Sequence, residues 1–156
     1  MKRDLLGLLG WLLVSAAVAA AGGLATASSV NDWYPGLAKP GWTPPDAVFG
    51  PVWTVLYTVM GLSAWLVWLR RSQPGARAAL RVYVAHLGLN LAWSVLFFGL
   101  RSPWAGLAGI ALLLLALGET IRRFLAVRPL AGLLLLPYLA WVSFAAALNL
   151  AIALAN

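Results

Sequence analysis

The chain contains no cysteine and only one histidine, His86, among 156 residues. Disulfides, thiolate nucleophiles and cysteine-bound zinc or iron–sulfur centres are excluded, as is a metal or haem site needing two histidines from one chain. Acids are nearly as scarce. Asp4, Asp32, Asp46 and Glu119 are the full complement, and all fall near helix ends or in connectors. From these residues neither paired carboxylates in one pocket, nor a Ser/His/Asp constellation, nor a nucleotide-binding glycine loop can be assembled. Charged residues make up only 10% of the chain, against 63% hydrophobic residues and a mean hydropathy of +0.89. Too few polar side chains remain to cover a soluble globule, so the chain reads as a membrane protein.

Five long apolar runs take up nearly everything else: 5–30, 47–69, 82–100, 102–118 and 130–155. Each approaches the roughly 20 residues that a helix needs to cross the hydrocarbon core. Leu and Ala dominate them without the alternation of a membrane barrel, which predicts an all-α fold. The expected helices are about 5–27, 47–69, 80–100, 103–124 and 130–154, in a single transmembrane domain over 1–156, with a loop at 28–46. The opening Lys2 and Arg3, the leucine-rich core and the run Ala19 to Gly22 resemble a cleavable signal peptide. The uncharged run continues to Val30, longer than a usual signal core, and this favours a retained first helix.

The net charge of +7 lies in short connectors rather than along one helical face, which argues against a nucleic-acid surface. If helix ends alternate sides, Lys2, Arg3, Arg70, Arg71, Arg77, Arg81, Arg122, Arg123 and Arg128 share one face, leaving Lys39 and Arg101 for the other. The positive-inside rule then places the amino terminus in the cytoplasm. The long first loop and the carboxyl terminus fall on the opposite side.

That loop is the most elaborate stretch. The segment from Trp33 to Tyr57 holds three tryptophans and five of the nine prolines. On helical spacing the polar and aromatic residues form three stripes: Trp53 and Tyr57; Asn90, Trp93 and Phe97; and Tyr138, Trp141, Ala145, Leu148 and Asn149. Two readings fit such stripes. They line a site for a large, flat, mostly apolar ligand, or they are packing and interhelical glue. Asn90 points into the bundle on either reading, since lipid would leave its amide unsatisfied. The small residues at 15–23 of the first helix pack centrally or border a cavity. Gly88 and Ala92 offer a helix contact or dimer face. His86 reads as a satisfied interfacial histidine about one turn inside its helix, and Glu119 as an ion-pair partner of Arg122 and Arg123.

WYPGLAKPGWTPP at 33–45, FGPVWTVLY at 49–57, NLAWSVLFFG at 90–99, Trp104, and PYLAWVSFAAALN at 137–149 occur in this order along the chain. On these motifs it resembles the TspO/MBR family, the translocator or tryptophan-rich sensory proteins, also known as peripheral benzodiazepine receptors. The resemblance implies a five-helix bundle, commonly a homodimer in the membrane lipid. It implies binding of porphyrins such as protoporphyrin IX or haem, of sterols, and of isoquinoline or benzodiazepine-type ligands, with a sensory or regulatory role in tetrapyrrole handling; transport of the ligand is the alternative. The implied ligand-binding residues are Trp53, Tyr57, Asn90, Trp93, Phe97, Trp104, Tyr138, Trp141, Ala145 and Leu148, with Trp33, Trp42, Pro44 and Pro45 in a lid. Light-dependent porphyrin degradation is also implied by the resemblance and would involve Trp53 and Trp141. No other catalytic residue, metal or cofactor is expected. After Asn149 the chain ends LNLAIALAN, without the aromatic and basic residues of the mammalian sterol motif.

Overall fold

The structure is a computed structural model that describes residues 2–156, and among these all regular structure is helical. Helix α1 spans Lys2–Ala27, α2 Asp46–Trp68, α3 Ala76–Ser94, α4 Pro103–Val127, α5 Pro129–Leu134 and α6 Leu136–Ala155. A 3-10 turn, Tyr34–Gly36, lies in the first loop, and α3 continues into a π-helical turn, Val95–Gly99. Because α5 and α6 run on as one rod, five segments of 23 to 27 residues are long and apolar enough to span a bilayer. At about 1.5 Å per residue each exceeds the roughly 30 Å hydrocarbon core.

Proline and serine set most of the boundaries. Ser102 accepts the Ala105 amide at 3.2 Å and Pro103 follows at the first helical position, where its missing N–H costs nothing. Pro129 forces Arg128 into extended backbone, φ −153°, and so ends α4. Pro137 has no N–H to give the Leu133 carbonyl, and the fifth span breaks beside it at Leu135. Two positions differ from the sequence reading. α2 begins at Asp46, one residue before the expected 47, and holds Pro51 past its first turn. Its outer face is exposed there, so lipid or solvent rather than a neighbouring helix meets the ring. Gly75, at φ 83°, turns the second connector sharply and lets α3 start at Ala76. His86 therefore sits about 15 Å into its helix and is fully buried, not interfacial.

α3 lies against α4, α4 against α6 and α5, α1 against α2 and α3, and α2 against α5. In lipid, apolar burial does little to drive helices together, so close approach and hydrogen bonds decide the packing. The Ser15 and Tyr83 hydroxyls pair at 2.8 Å between α1 and α3, and the Ser63 hydroxyl donates to the Ala131 carbonyl at 2.6 Å between α2 and α5. Met60, Ala64, Val67, Tyr83, Leu113, Leu117, Phe124 and Val142 fill the centre. Glu119 pairs with Arg122 at 2.7 Å and Arg123 at 2.5 Å, as their spacing predicts.

The backbones of α1 and α2 come close at Gly61, where a Cβ would lie 3.2 Å from both the Leu12 Cα and the Trp11 carbonyl oxygen. Backbone atoms cannot swing aside. Gly61→Val is expected to lower stability by about 1–3 kcal/mol through overpacking. Gly118→Ala, which meets open space, should leave the melting temperature in detergent unchanged or slightly raised.

Candidate ligand cavity

A cavity of about 410 Å³ opens within the half of the bundle that holds the first loop. That volume lies in the range of small-molecule sites. One wall is bare α1 backbone: Ala19, Gly22, Gly23 and Thr26 leave the space that larger residues would occupy. Phe49, Trp53 and Tyr57 of α2 face it, Asn90, Trp93 and Ser94 come from α3, and Trp141, Ala145, Leu148 and Asn149 from α6. Tyr34 and Val30 reach in from the loop, and Phe97 and Phe98 from the π turn.

The π turn explains the aromatic density. Bonds from the Leu100 amide to the Val95 carbonyl at 2.8 Å and from the Ser102 amide to the Phe97 carbonyl at 3.1 Å skip one residue more than an α-helix does. The slip carries adjacent Phe97 and Phe98 to the same cavity, ring centroids 4.8 Å apart and nearly perpendicular. Such widened turns recur at functional sites. The freed Phe98 carbonyl accepts the Ser29 hydroxyl at 2.8 Å and thereby anchors the loop.

Beneath the cavity runs a chain of buried hydrogen bonds. The Tyr57 hydroxyl donates to Asn90 Oδ1 at 2.5 Å, and Asn90 Nδ2 donates to the Tyr138 hydroxyl at 2.6 Å. The Tyr138 oxygen lies 3.2 Å from His86 Nε2, while His86 Nδ1 lies 3.1 Å from the Tyr83 carbonyl. A carbonyl only accepts, so Nδ1 carries the proton and Nε2 accepts from Tyr138. Every donor in the chain thus points one way, from α2 through α3 and α6 back to α3. A second set fixes the far wall: Trp93 Nε1 donates to Asn149 Oδ1 at 3.2 Å, and Asn149 Nδ2 to the Pro103 carbonyl at 2.8 Å. In contrast, Trp141 Nε1 is buried with no partner, and no other buried side-chain nitrogen or oxygen among the described residues is left so.

Eight of the ten candidate binding residues meet at this cavity: Trp53, Tyr57, Asn90, Trp93, Phe97, Trp141, Ala145 and Leu148. Two do not. Trp104 is 58% exposed on α4, which packs behind α3 and α6 and contributes nothing to the cavity wall. Tyr138 lies under the floor, 1% exposed, as a hydrogen-bond partner of Asn90 and His86. The candidate lid residues stay outside the lining. Trp33 packs edge-on against Phe97 and Trp42 against Phe144, while Pro44 is half-buried and Pro45 exposed. Tyr34, Phe49, Phe98 and Ser94 were not among the candidates. For Phe49 a signal exists, since it lies one turn before Trp53; for Phe98 none does, because on α-helical spacing it points away from Phe97.

The loop is held at several points. The Lys39 ammonium donates to the Tyr34 carbonyl at 2.7 Å and lies 4.6 Å from the Tyr34 ring centroid. Burial raises the Tyr34 hydroxyl above its ordinary pKa. Asn156 grips the Ala38 backbone twice, accepting its amide at 3.0 Å and donating to its carbonyl at 3.1 Å. Arg101, in the left-handed region at φ 53°, donates to Asp32 at 2.7 Å. The Trp33 amide chiefly, and the Arg101 guanidinium with it, hold the Asp32 carboxyl below its ordinary range.

Fold and site together define an all-α integral membrane protein of five spans, four of which line an aromatic-walled cavity under a strapped loop. The chain belongs to the TspO/MBR family, whose model matches residues 11–155. It is 43% identical to the tryptophan-rich protein TspO of Archaeoglobus fulgidus, over 98% of this chain and 99% of that one. To the translocator protein of Homo sapiens it is 44% identical, over 75% of this chain and 70% of that one. The tryptophan-rich sensory protein of Cereibacter sphaeroides is 36% identical over 89% and 88% of the two chains.

Tyr138→Phe removes the acceptor of Asn90 Nδ2 and the donor to His86, and should cost about 1–2 kcal/mol in detergent unfolding; Trp104→Phe should cost nothing measurable. Arg101→Gln is expected to speed hydrogen exchange across 28–46. In the unsubstituted protein the Asp32–Arg101 tie is fully present above the ordinary carboxylate pKa of 3.8 and is lost as pH falls through the lowered value, so the same loosening should set in only below that pH.

Proposed function

We propose that this protein is a membrane-embedded binding and sensory protein for porphyrins, with a regulatory role in tetrapyrrole handling. The observation that carries the reading is the unpartnered Trp141 Nε1 beside an aromatic-walled cavity. A buried N–H without a partner costs on the order of 1–3 kcal/mol, and an acceptor on a bound ligand removes that cost. The Tyr57 hydroxyl spends its proton on Asn90, so it offers the cavity only lone pairs. One donor and one acceptor between flat apolar walls suit a flat ligand that carries both, as a free-base porphyrin does with its pyrrole N–H groups and its imine nitrogens and carboxylates. Trp53, Trp93 and Trp141 would supply stacking area, and Ala145 and the α1 glycines the room. Trp33, Trp42, Pro44 and Pro45 would act as the lid, stiff enough in backbone to order at low entropic cost.

The same reading has the amino terminus in the cytoplasm and the loop, the entrance and the carboxyl terminus on the other side, as the basic residues argue. It includes a homodimer, for which Gly88 on the outer face of α3, with open space beside it, gives support. Sterols and isoquinoline-type ligands would share the cavity. Transport is less favoured, since no inverted repeat of the helices accompanies the site among the described residues. Light-dependent degradation by Trp53 and Trp141 is the enzymatic alternative; it needs product beyond one equivalent that disappears in the double Trp→Phe variant.

Protoporphyrin IX titrated into the detergent-solubilised protein is expected to quench tryptophan fluorescence saturably. Ala145→Phe should abolish saturation by filling the cavity, and Trp141→Phe should weaken binding about tenfold or more by removing the free donor. Quenching that is linear, or unaltered by Ala145→Phe, would rule the reading out.

A further inference from the structure

At the opposite end of the bundle a second hollow of about 500 Å³ lies between the start of α1 and the end of α2. Its floor is glycine. A Cβ on Gly7 would fall 2.5 Å from the Trp68 ring, so the indole packs directly on the α1 backbone, whereas a Cβ on Gly10 would meet nothing within 4 Å. The hollow is therefore roofed at one end by Trp68 and open over Gly10, with Trp11 and Val14 as its wall. It gives onto lipid: Leu6 is 67% and Val14 41% exposed, and Leu9 and Leu13 continue the same bare apolar surface of α1.

The rim carries Arg3 and Arg71. Arg71 is fixed in place, its guanidinium stacked 3.7 Å from the Trp68 ring centroid and its Nη1 donating to the Trp68 carbonyl at 3.2 Å. Asp4 Oδ1 stands 3.6 Å from that nitrogen, and Trp65 Nε1 holds the Asp4 carbonyl at 2.9 Å. Two guanidinium groups at the rim against the one carboxylate of Asp4 leave it positive. An apolar slot open to the bilayer below a cationic rim at headgroup height matches one kind of molecule.

We infer that this groove is a binding site for an anionic phospholipid, with the headgroup phosphate between Arg3 and Arg71 and an acyl chain laid over Gly10 toward Val14. Charge complementarity selects this occupant. A sterol has no charge to place between two guanidinium groups, and the choline of a zwitterionic lipid would bring a cation to them. The site shares no lining residue with the loop-side cavity, so it stands whether or not that cavity takes porphyrin.

Native mass spectrometry of the full chain in detergent, titrated with phosphatidylglycerol and phosphatidylcholine of the same acyl chains, tests the assignment. Each basic residue near an anionic headgroup gives about a fivefold preference; the protein should hold phosphatidylglycerol at least tenfold more tightly. Arg3→Gln alone should cut that preference several-fold and Arg3→Gln with Arg71→Gln should remove it. Gly10→Leu should lower retention of both lipids, with an unchanged melting temperature marking it as folded. Arg77→Gln with Arg81→Gln, exposed on α3 at the same end, should leave the preference intact. Equal retention of the two lipids by the unsubstituted protein would overturn the assignment, as would a preference that survives loss of Arg3 and Arg71 or falls equally with Arg77 and Arg81.

Discussion

An amide buried in a bilayer-spanning bundle has to find partners within the protein, because lipid offers none. Asn90 is such an amide, and the rest of the structure is arranged around its answer. Its oxygen takes the Tyr57 proton from α2 and its nitrogen serves Tyr138 on α6, which in turn serves His86 back on α3. Three helices are thereby registered against one another at a fixed depth. The cavity lies above that floor, and its depth and the facing of Trp53 and Trp141 follow from the registration. Because each hydroxyl of the chain and the Nδ1–H of His86 has its acceptor, the floor is polar yet largely satisfied within the protein.

Above the floor the constraint is space rather than polarity. The small half of α1 and Ala145 on α6 keep volume empty, while α2, α3 and the π turn supply rings around it. Gly106 and Gly109 of α4 make this possible from behind, since a Cβ at either would press within 3 Å of Phe97 or Leu96. The loop closes the arrangement through several weak ties to different helices, Ser29 to the π turn, Asp32 to Arg101 and Asn156 to Ala38. The Asp32 and Asn156 ties are exposed and individually modest. A loop held this way can loosen locally without disturbing the core.

Much of this was legible in the residues. Run lengths and Leu/Ala content announce five spans, and helical spacing puts Trp53 with Tyr57, Asn90 with Trp93, and Trp141 with Ala145 and Leu148 on three stripes that the family resemblance gathers into one site. The small residues of the first helix fit central packing or a cavity border, and the structure has Ala19, Gly22 and Gly23 at the cavity. What spacing cannot carry is depth and departure from the α-helix. Tyr138 shares a stripe with Trp141, yet one helical turn moves it from the wall to beneath the floor. Phe98 is invisible to a 3.6-residue period because the π turn inserts a residue into it. Trp104 follows the aromatic run in sequence, but the turn at Arg101 sends α4 behind the cavity and leaves that indole outside. An uncharged run starting at Val82 places His86 near an interface, whereas the left-handed glycine at 75 starts α3 at Ala76 and draws the ring to the centre.

The central claim is that one aromatic cavity, set by the Asn90 floor and completed by a free indole donor, is where this protein holds a flat tetrapyrrole. A structure determined with protoporphyrin IX bound tests it most directly. The account predicts the macrocycle between the α2 and α6 tryptophans, with a ligand acceptor within about 3.2 Å of Trp141 Nε1 and the Tyr57–Asn90–Tyr138–His86 chain unchanged. Porphyrin bound on the outer helix faces, or inside with Trp141 Nε1 still unpartnered, would contradict it.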